Sequence, residues 1–322
     1  MREGFTASIQ RSGAAERIEA SPWDIEAIVS QLRDARRRSH RVVSAGNRSA
    51  PIPSPELLQQ VVNRIYASLF PRHAGAVDHS EDGLTYFIGS TLNEALALLA
   101  EQIRREHGFV DYARISGTHV HQPAEKIVEI FADRLPGIYE LLESDIHAAY
   151  SGDPSARSTE EVLLSFPGVK AIIYHRIAHA LHSLGAPVVA RIIAALAHSQ
   201  TGIDIHPGAQ IGGSFFIDHG TGVVIGETVI VGERVRIYQA VTLGAKRFSV
   251  DEQGALVKGE PRHPIVEDDV VIYAGATILG RITIGHGSSI GGNVWLTRSV
   301  PPLSTIIQAQ VRSETFDHGA GI

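Results

Sequence analysis

The sequence contains no cysteine and a single methionine, the initiator Met1. The absence of cysteine excludes a structural disulfide, a thiolate metal site and a cysteine acyl-enzyme, so any acyl chemistry must run through oxygen or nitrogen groups. No apolar run is long enough to span a bilayer, and the N-terminus lacks the apolar stretch of a secretory signal, which makes the cytoplasm the expected compartment and a membrane an unexpected partner. A formal net charge of −6 supplies no basic field for nucleic acid, so none is expected as a partner. With 43% hydrophobic and 20% charged residues over 322 positions, the chain has the material for about two folded domains without a metal or a cross-link.

The organisation changes along the chain. Residues 1–50 read as a poorly ordered leader with one short helix, Pro22 to Arg38, capped by Ser21, with Trp23, Ala27, Ile28 and Leu32 on one face. After Pro51, Pro53 and Pro55, apolar residues recur at helical spacing to about residue 200. Helices are expected at Leu57 to Phe70, Leu92 to Glu106, Glu125 to Tyr150, Glu160 to Leu184 and Val188 to His198, giving a helical domain over 51–200.

From about residue 201 the period becomes six. Ile205, Ile211, Ile217, Val223, Val229, Val235 and Val241 keep it, Ile225, Val231, Ile237 and Leu243 form a second register, and Ile272, Ile278, Ile284, Ile290 and Leu296 resume it. Neither a helix nor an ordinary strand has this period. It is that of a parallel β-helix, in which each short strand buries one aliphatic residue and then turns a corner. Glycines 212, 226, 232, 244, 280, 285 and 291 fit those corners. The expected fold is therefore α+β: an all-helical N-terminal domain followed by a left-handed parallel β-helix over 201–302. Residues 245–264 form an extruded loop and residues 303–322 a tail.

On this scaffold the chemistry-bearing groups are Asp204 and His206 in the first coil, the pair Asp218-His219, and Arg262-His263 where the loop rejoins the coil. A histidine can take the proton of an attacking alcohol, and a carboxylate can orient the imidazole. An amino-acid substrate adds an ammonium that carboxylates bind and a carboxylate that arginine binds. The helix-borne His175, His179 and His182 lack the glutamate of a zinc-binding H-E-x-x-H motif and read as a partly buried face. No metal site is expected. His206, His219 and His263 leave a zinc β-helix hydratase as one alternative, and acetylation of a sugar or an antibiotic is another.

Ser144-Asp145-Ile146, Gly152-Asp153-Pro154-Ser155-Ala156 and Tyr174-His175-Arg176-Ile177-Ala178-His179 resemble the helical domain of bacterial serine O-acetyltransferases. Asp204 to Ala209, Asp218-His219-Gly220-Thr221-Gly222, Val224 to Thr228, Val241 to Gly244 and Arg262-His263-Pro264 resemble the β-helix of that family, and the longer loop and leader its extended bacterial form. The resemblance implies transfer of acetyl from acetyl-CoA to the L-serine hydroxyl, giving O-acetyl-L-serine for cysteine biosynthesis, with acetyl-CoA as co-substrate and no bound cofactor. It casts His219 as general base and Asp204 as its orienting carboxylate. Asp153 and Asp218 would bind the ammonium, and Arg262 and His263 the carboxylate. Backbone groups near Ala245 and Ala274 would hold the pantetheine arm. It further implies a homotrimer or dimer of trimers with sites between subunits, inhibition by L-cysteine, and docking of the tail onto cysteine synthase through Ile322.

Overall fold

A computed structural model describes residues 23–38, 51–75, 80–109 and 122–308. Ser21, Pro22, most of the leader and the tail with Ile322 lie outside the described residues. Helix α1 (Ile25–Arg38) belongs to one compact unit and every other described element to a second. Its cap is Asp24, whose carboxylate accepts from the Ala27 amide at 2.9 Å, in place of the expected Ser21.

Among the described residues the second unit opens with six α-helices: α2 (Pro55–Leu69), α3 (Glu81–Phe109), α4 (Ala124–Gly152), α5 (Thr159–Ser165), α6 (Pro167–Ser183) and α7 (Pro187–Thr201). Leu58, Ile65, Leu99, Ile103, Phe131 and Leu142 form the centre of their core, each contributing about 1.5–3 kcal/mol on burial. One expected helix is two. The run from Glu160 to Leu184 breaks at Phe166, held extended at φ −81°, ψ 117°, because Pro167 lacks an amide hydrogen and disfavours a helical residue before it. The helical segment around Leu92 to Glu106 is longer than its apolar pattern, running the full length of α3. Near the end of α3, buried Glu106 accepts from the Val188 and Val189 amides at 2.9 and 2.8 Å, placing a carboxylate at the start of α7, where the exposed peptide dipoles favour negative charge.

After Gly202, in the left-handed conformation at φ 70°, the chain enters the β-helix. Fourteen strands of two or three residues run from β1 (Asp204–Ile205) to β14 (Thr305–Ile306). They stack into three parallel sheets, ordered β1-β4-β7-β10-β13, β2-β5-β8-β11 and β3-β6-β9-β12-β14. The inward ladder of the first sheet is Ile205, Ile225, Leu243, Ile278 and Leu296, paired in that order. Among the described residues no helix is long and apolar enough to cross a membrane.

The register carries a detail that the period alone conceals. Ile225 pairs with Leu243, but Ile205 pairs with Ile225, a step two residues longer. The same excess separates Ile217 from Ile237 and vanishes between Thr283 and its partner Ile265. The aliphatics that seem to run unbroken at period six therefore pass from strand positions (Ile205, Ile211, Ile217) to corner positions (Val223, Val229, Val235, Val241). The two additional residues fall in the corner that holds Asp218 and His219.

Candidate active site

That corner begins as β3 (Phe216–Ile217) ends. The Asp218 amide donates to Ile237 O at 2.9 Å, and the Gly220 amide turns back to Asp218 O at 2.7 Å. His219 takes φ 59° and Gly220 and Gly222 take 89° and 78°, so the lengthened corner bulges outward. Asp218 stays buried while the His219 side chain is 71% exposed. The Asp218 carboxylate faces two ways: Oδ1 lies 3.8 Å from His219 Nε2 and Oδ2 accepts from Arg236 Nη2 at 2.6 Å.

Asp153 reaches the same corner from the helical side. It directly follows α4, and its Oδ1 accepts the Ser155 amide at 2.8 Å. That hydrogen bonding, helped by the nearby Arg236 and His219, holds its carboxyl below the usual range. Arg236 Nη1 donates to the carbonyl of Gly152 at 2.8 Å, tying the helix end to the corner. Asp153, Asp218, His219 and Arg236 thus form one cluster. Asp204 stands apart on β1: its amide bonds to Val223 O, and its carboxylate makes no hydrogen bond or ion pair among the described residues. Arg236 is absent from the residues singled out in the sequence, where it reads as one more outward charge on a strand.

Arg262 and His263 lie on a different edge of the prism, between the first and second sheets. Their amides donate to Thr228 Oγ1 at 2.9 and 3.2 Å. The Thr228 amide donates to His263 Nδ1 at 3.1 Å, which leaves the proton of a neutral imidazole on Nε2. The ring lies against Gly226, where a Cβ would collide with it. Burial, then the charges of Arg262 and Arg281, push His263 down to about 4. Arg262 Nη2 pairs with Glu227 Oε2 at 2.5 Å. His206 on the same edge accepts the Gly208 amide at 2.9 Å through Nδ1 and meets His182 edge-on at 5.8 Å. Burial and Arg191 bring it to about 4 as well. Burial works against ionisation of Glu227, yet the bond from Arg262, with the neighbouring His206 and the charge of Arg262, leaves its carboxyl below the usual range.

The loop 245–264 leaves this edge after β7 (Thr242–Gly244) and returns before β8 (Ile265–Val266). It carries its own hairpin, with an antiparallel bridge from Val250 to Leu256 and the Val257 amide bonded to Ser249 O at 2.9 Å. Ala245 sits at its base. Ala274 lies on the other edge, one corner after β9 (Val271–Ile272), with its carbonyl accepting the Asn293 amide at 2.8 Å.

The expected site is therefore split. Asp153, Asp218, His219 and Ala274 belong to one edge, Arg262, His263 and Ala245 to another, and the first sheet lies between. A hexapeptide side at about 3.3 Å per residue spans on the order of 15–20 Å, too far for one small zwitterion to touch both edges of a single chain. His219 is likewise a full side away from His206 and His263. Among the described residues no group of three His, Cys, Asp or Glu side chains is arranged to hold a metal ion.

Comparison with known proteins agrees with this architecture. The family model "Bacterial transferase hexapeptide (six repeats)" matches residues 263–298. A plasmid serine acetyltransferase of Synechococcus elongatus is 55% identical over 306 residues, covering 93% of this chain and 95% of that protein. The crystal structure of Entamoeba histolytica serine acetyltransferase 1 in complex with L-cysteine superposes with a TM-score of 0.67 at 35% identity, covering 88% of this chain and 98% of that one. The serine complex of the Neisseria gonorrhoeae serine acetyltransferase covers 80% of this chain and 97% of its own at TM-score 0.51 and 28% identity.

Proposed function

The chain belongs to the serine acetyltransferase family, a family of acyltransferases, and from that premise we propose that it transfers the acetyl group of acetyl-CoA to the hydroxyl of L-serine at sites completed between neighbouring copies of the chain. The observation that carries this reading is the lengthened corner. Two additional residues push the His219 imidazole into solvent beside two carboxylates suited to an ammonium, and the cationic partner for a substrate carboxylate, Arg262, waits on the opposite edge. Three copies around a threefold axis would bring the edge of one chain against the other edge of the next.

In this arrangement His219 accepts the serine hydroxyl proton as the oxygen attacks the thioester carbonyl. The C–S bond then breaks, and the imidazolium returns that proton to the leaving CoA sulfur. Transfer is direct, from the thioester to the serine oxygen within one ternary complex, and a cysteine acyl-enzyme is excluded because the chain has no thiol. Asp218 Oδ1 is the carboxylate nearest the His219 ring and stabilises the imidazolium. Asp204, on β1, would orient the ring once a neighbouring copy and substrate close the site. Backbone groups at Ala245 of one copy and Ala274 of the next would flank the pantetheine arm of acetyl-CoA. L-Cysteine carries the same ammonium and carboxylate as serine and would compete for these subsites.

The test is a panel of acceptors incubated with acetyl-CoA while release of free CoA is followed. L-Serine is expected to be turned over well above sugars and aminoglycosides, with L-cysteine inhibiting competitively against serine. A sugar or antibiotic acceptor outpacing serine would overturn the reading.

A further inference from the structure

Arg236 projects outward from β6 (Arg236–Ile237), where it stacks directly on Phe216 of β3. Its guanidinium carbon lies 4.9 Å from the centre of the Phe216 ring and 4.7 Å from that of Tyr238. Tyr238 is itself stacked on Tyr273 at 5.2 Å and 14°. Contacts of a guanidinium with aromatic faces fix its plane as well as its position. Both terminal nitrogens are committed, Nη1 to Gly152 O and Nη2 to Asp218 Oδ2. Nε is buried with no hydrogen-bond partner among the described residues. A buried unpaired donor costs about 1–3 kcal/mol, so stability alone does not account for this placement.

The helix end is pressed onto the same platform. A Cβ on Gly152 would meet the Phe216 ring at 2.9 Å, closer than side chains tolerate, so only glycine lets α4 deliver its last carbonyl to Arg236. The residue that follows is Asp153. One rigid planar fork therefore joins the backbone just before one carboxylate to the side chain of the other.

We propose that Arg236 is a positioning residue that fixes the spacing of the Asp153 and Asp218 carboxylates and thereby sets the affinity of the ammonium subsite for serine. The inference rests on the assignment of those carboxylates to the substrate ammonium. Two carboxylates and one guanidinium leave a single net negative charge for the ammonium to neutralise. Without the guanidinium, two like charges repel across the subsite and the helix end loses its tether to the corner.

The experiment compares Arg236→Met, Arg236→Lys and Asp218→Asn with the wild-type oligomer. Steady-state kinetics are measured in serine and in acetyl-CoA, together with competitive inhibition by 3-hydroxypropanoate, which is serine without its ammonium. Arg236→Met is expected to raise the serine KM about 10- to 100-fold, with kcat, the acetyl-CoA KM and the 3-hydroxypropanoate Ki each moving less than about threefold. Arg236→Lys, which keeps the charge but cannot bridge both acceptors, falls between and carries the test alone if the methionine variant does not fold. A serine KM within about twofold of wild type in the folded variants overturns the proposal, and so does a joint rise of the serine KM, the acetyl-CoA KM and the 3-hydroxypropanoate Ki, which marks a general structural role. An unchanged serine KM in Asp218→Asn instead defeats the assignment of the ammonium subsite itself.

Discussion

The carboxylate of Asp145 and the guanidinium of Arg176 form a buried two-pronged pair, with Nε to Oδ2 and Nη2 to Oδ1 both at 3.1 Å. Arg176 also donates to the carbonyls of Ile211 and Gly212, and Asp145 accepts the Phe215 amide at 2.8 Å. The pair therefore bolts α4 and α6 to the first coil of the β-helix, below the corner that holds His219. Removing one partner leaves a buried charge uncompensated. Asp145→Asn or Arg176→Met is expected to lower stability by about 3–5 kcal/mol, measured by urea denaturation at fixed protein concentration. A change below about 1 kcal/mol would show that the pair does not carry the junction.

In the proposed mechanism His219 is the group on which turnover depends most. His219→Ala is expected to reduce kcat with serine by about 10²–10⁴-fold, with the acetyl-CoA KM nearly unchanged, as followed by CoA release. Its side chain is exposed and takes no part in the core, so circular dichroism of the variant should match wild type. Retention of half the normal turnover would remove His219 from the mechanism.

Much of this architecture is written openly in the sequence. The period of six survives because every coil buries an aliphatic residue in the same axial stack, and the motifs around Asp218 and Arg262 carry the resemblance. What stays hidden depends on the third dimension. The excess of two residues in the Asp218 corner is masked because Val223 happens to stand six after Ile217, though it occupies a corner rather than a strand. The helix break at Pro167 is masked by apolar residues on both sides, although the Phe-Pro pair was its signal. Arg236 has the spacing of a surface charge, and its role depends on Phe216 one coil away and on a helix end far back in the chain. The split between the two edges follows only once the sheet order is known.

Stability should depend on pH through His263. Burial holds this imidazole neutral, with a folded-state value of about 4 against an ordinary value of 6.5. Between those values the unfolded chain binds more protons than the folded one, so stability is present above the upper value and declines as pH falls toward the lower. Asp145 works in the opposite sense, since burial pushes its carboxyl up to about 6, and the variant comparison separates the two. Denaturation of wild type and His263→Gln at intervals from pH 7 to pH 4 should show a loss for wild type that exceeds the variant's by on the order of 2 kcal/mol. Parallel curves would mean that His263 is protonated in the folded state at much the same pH as in the unfolded chain.

The proposed completion of each site between two copies predicts complementation between variants that are each inactive alone. A His219→Ala chain keeps its Arg262 and His263 edge, and an Arg262→Ala chain keeps its His219 edge. Each homo-oligomer should be nearly inactive with serine. When the two are co-expressed with different affinity tags and purified through both, some interfaces pair an intact His219 edge with an intact Arg262 edge. A mixed threefold ring, whether it holds one or two copies of either variant, has this pairing at one interface in three, so the doubly purified oligomers are expected to recover about a third of wild-type activity. Sites contained within one chain would give no recovery, because every chain would still carry a lesion. Activity of the doubly purified mixture no higher than that of the single variants would therefore refute the shared site.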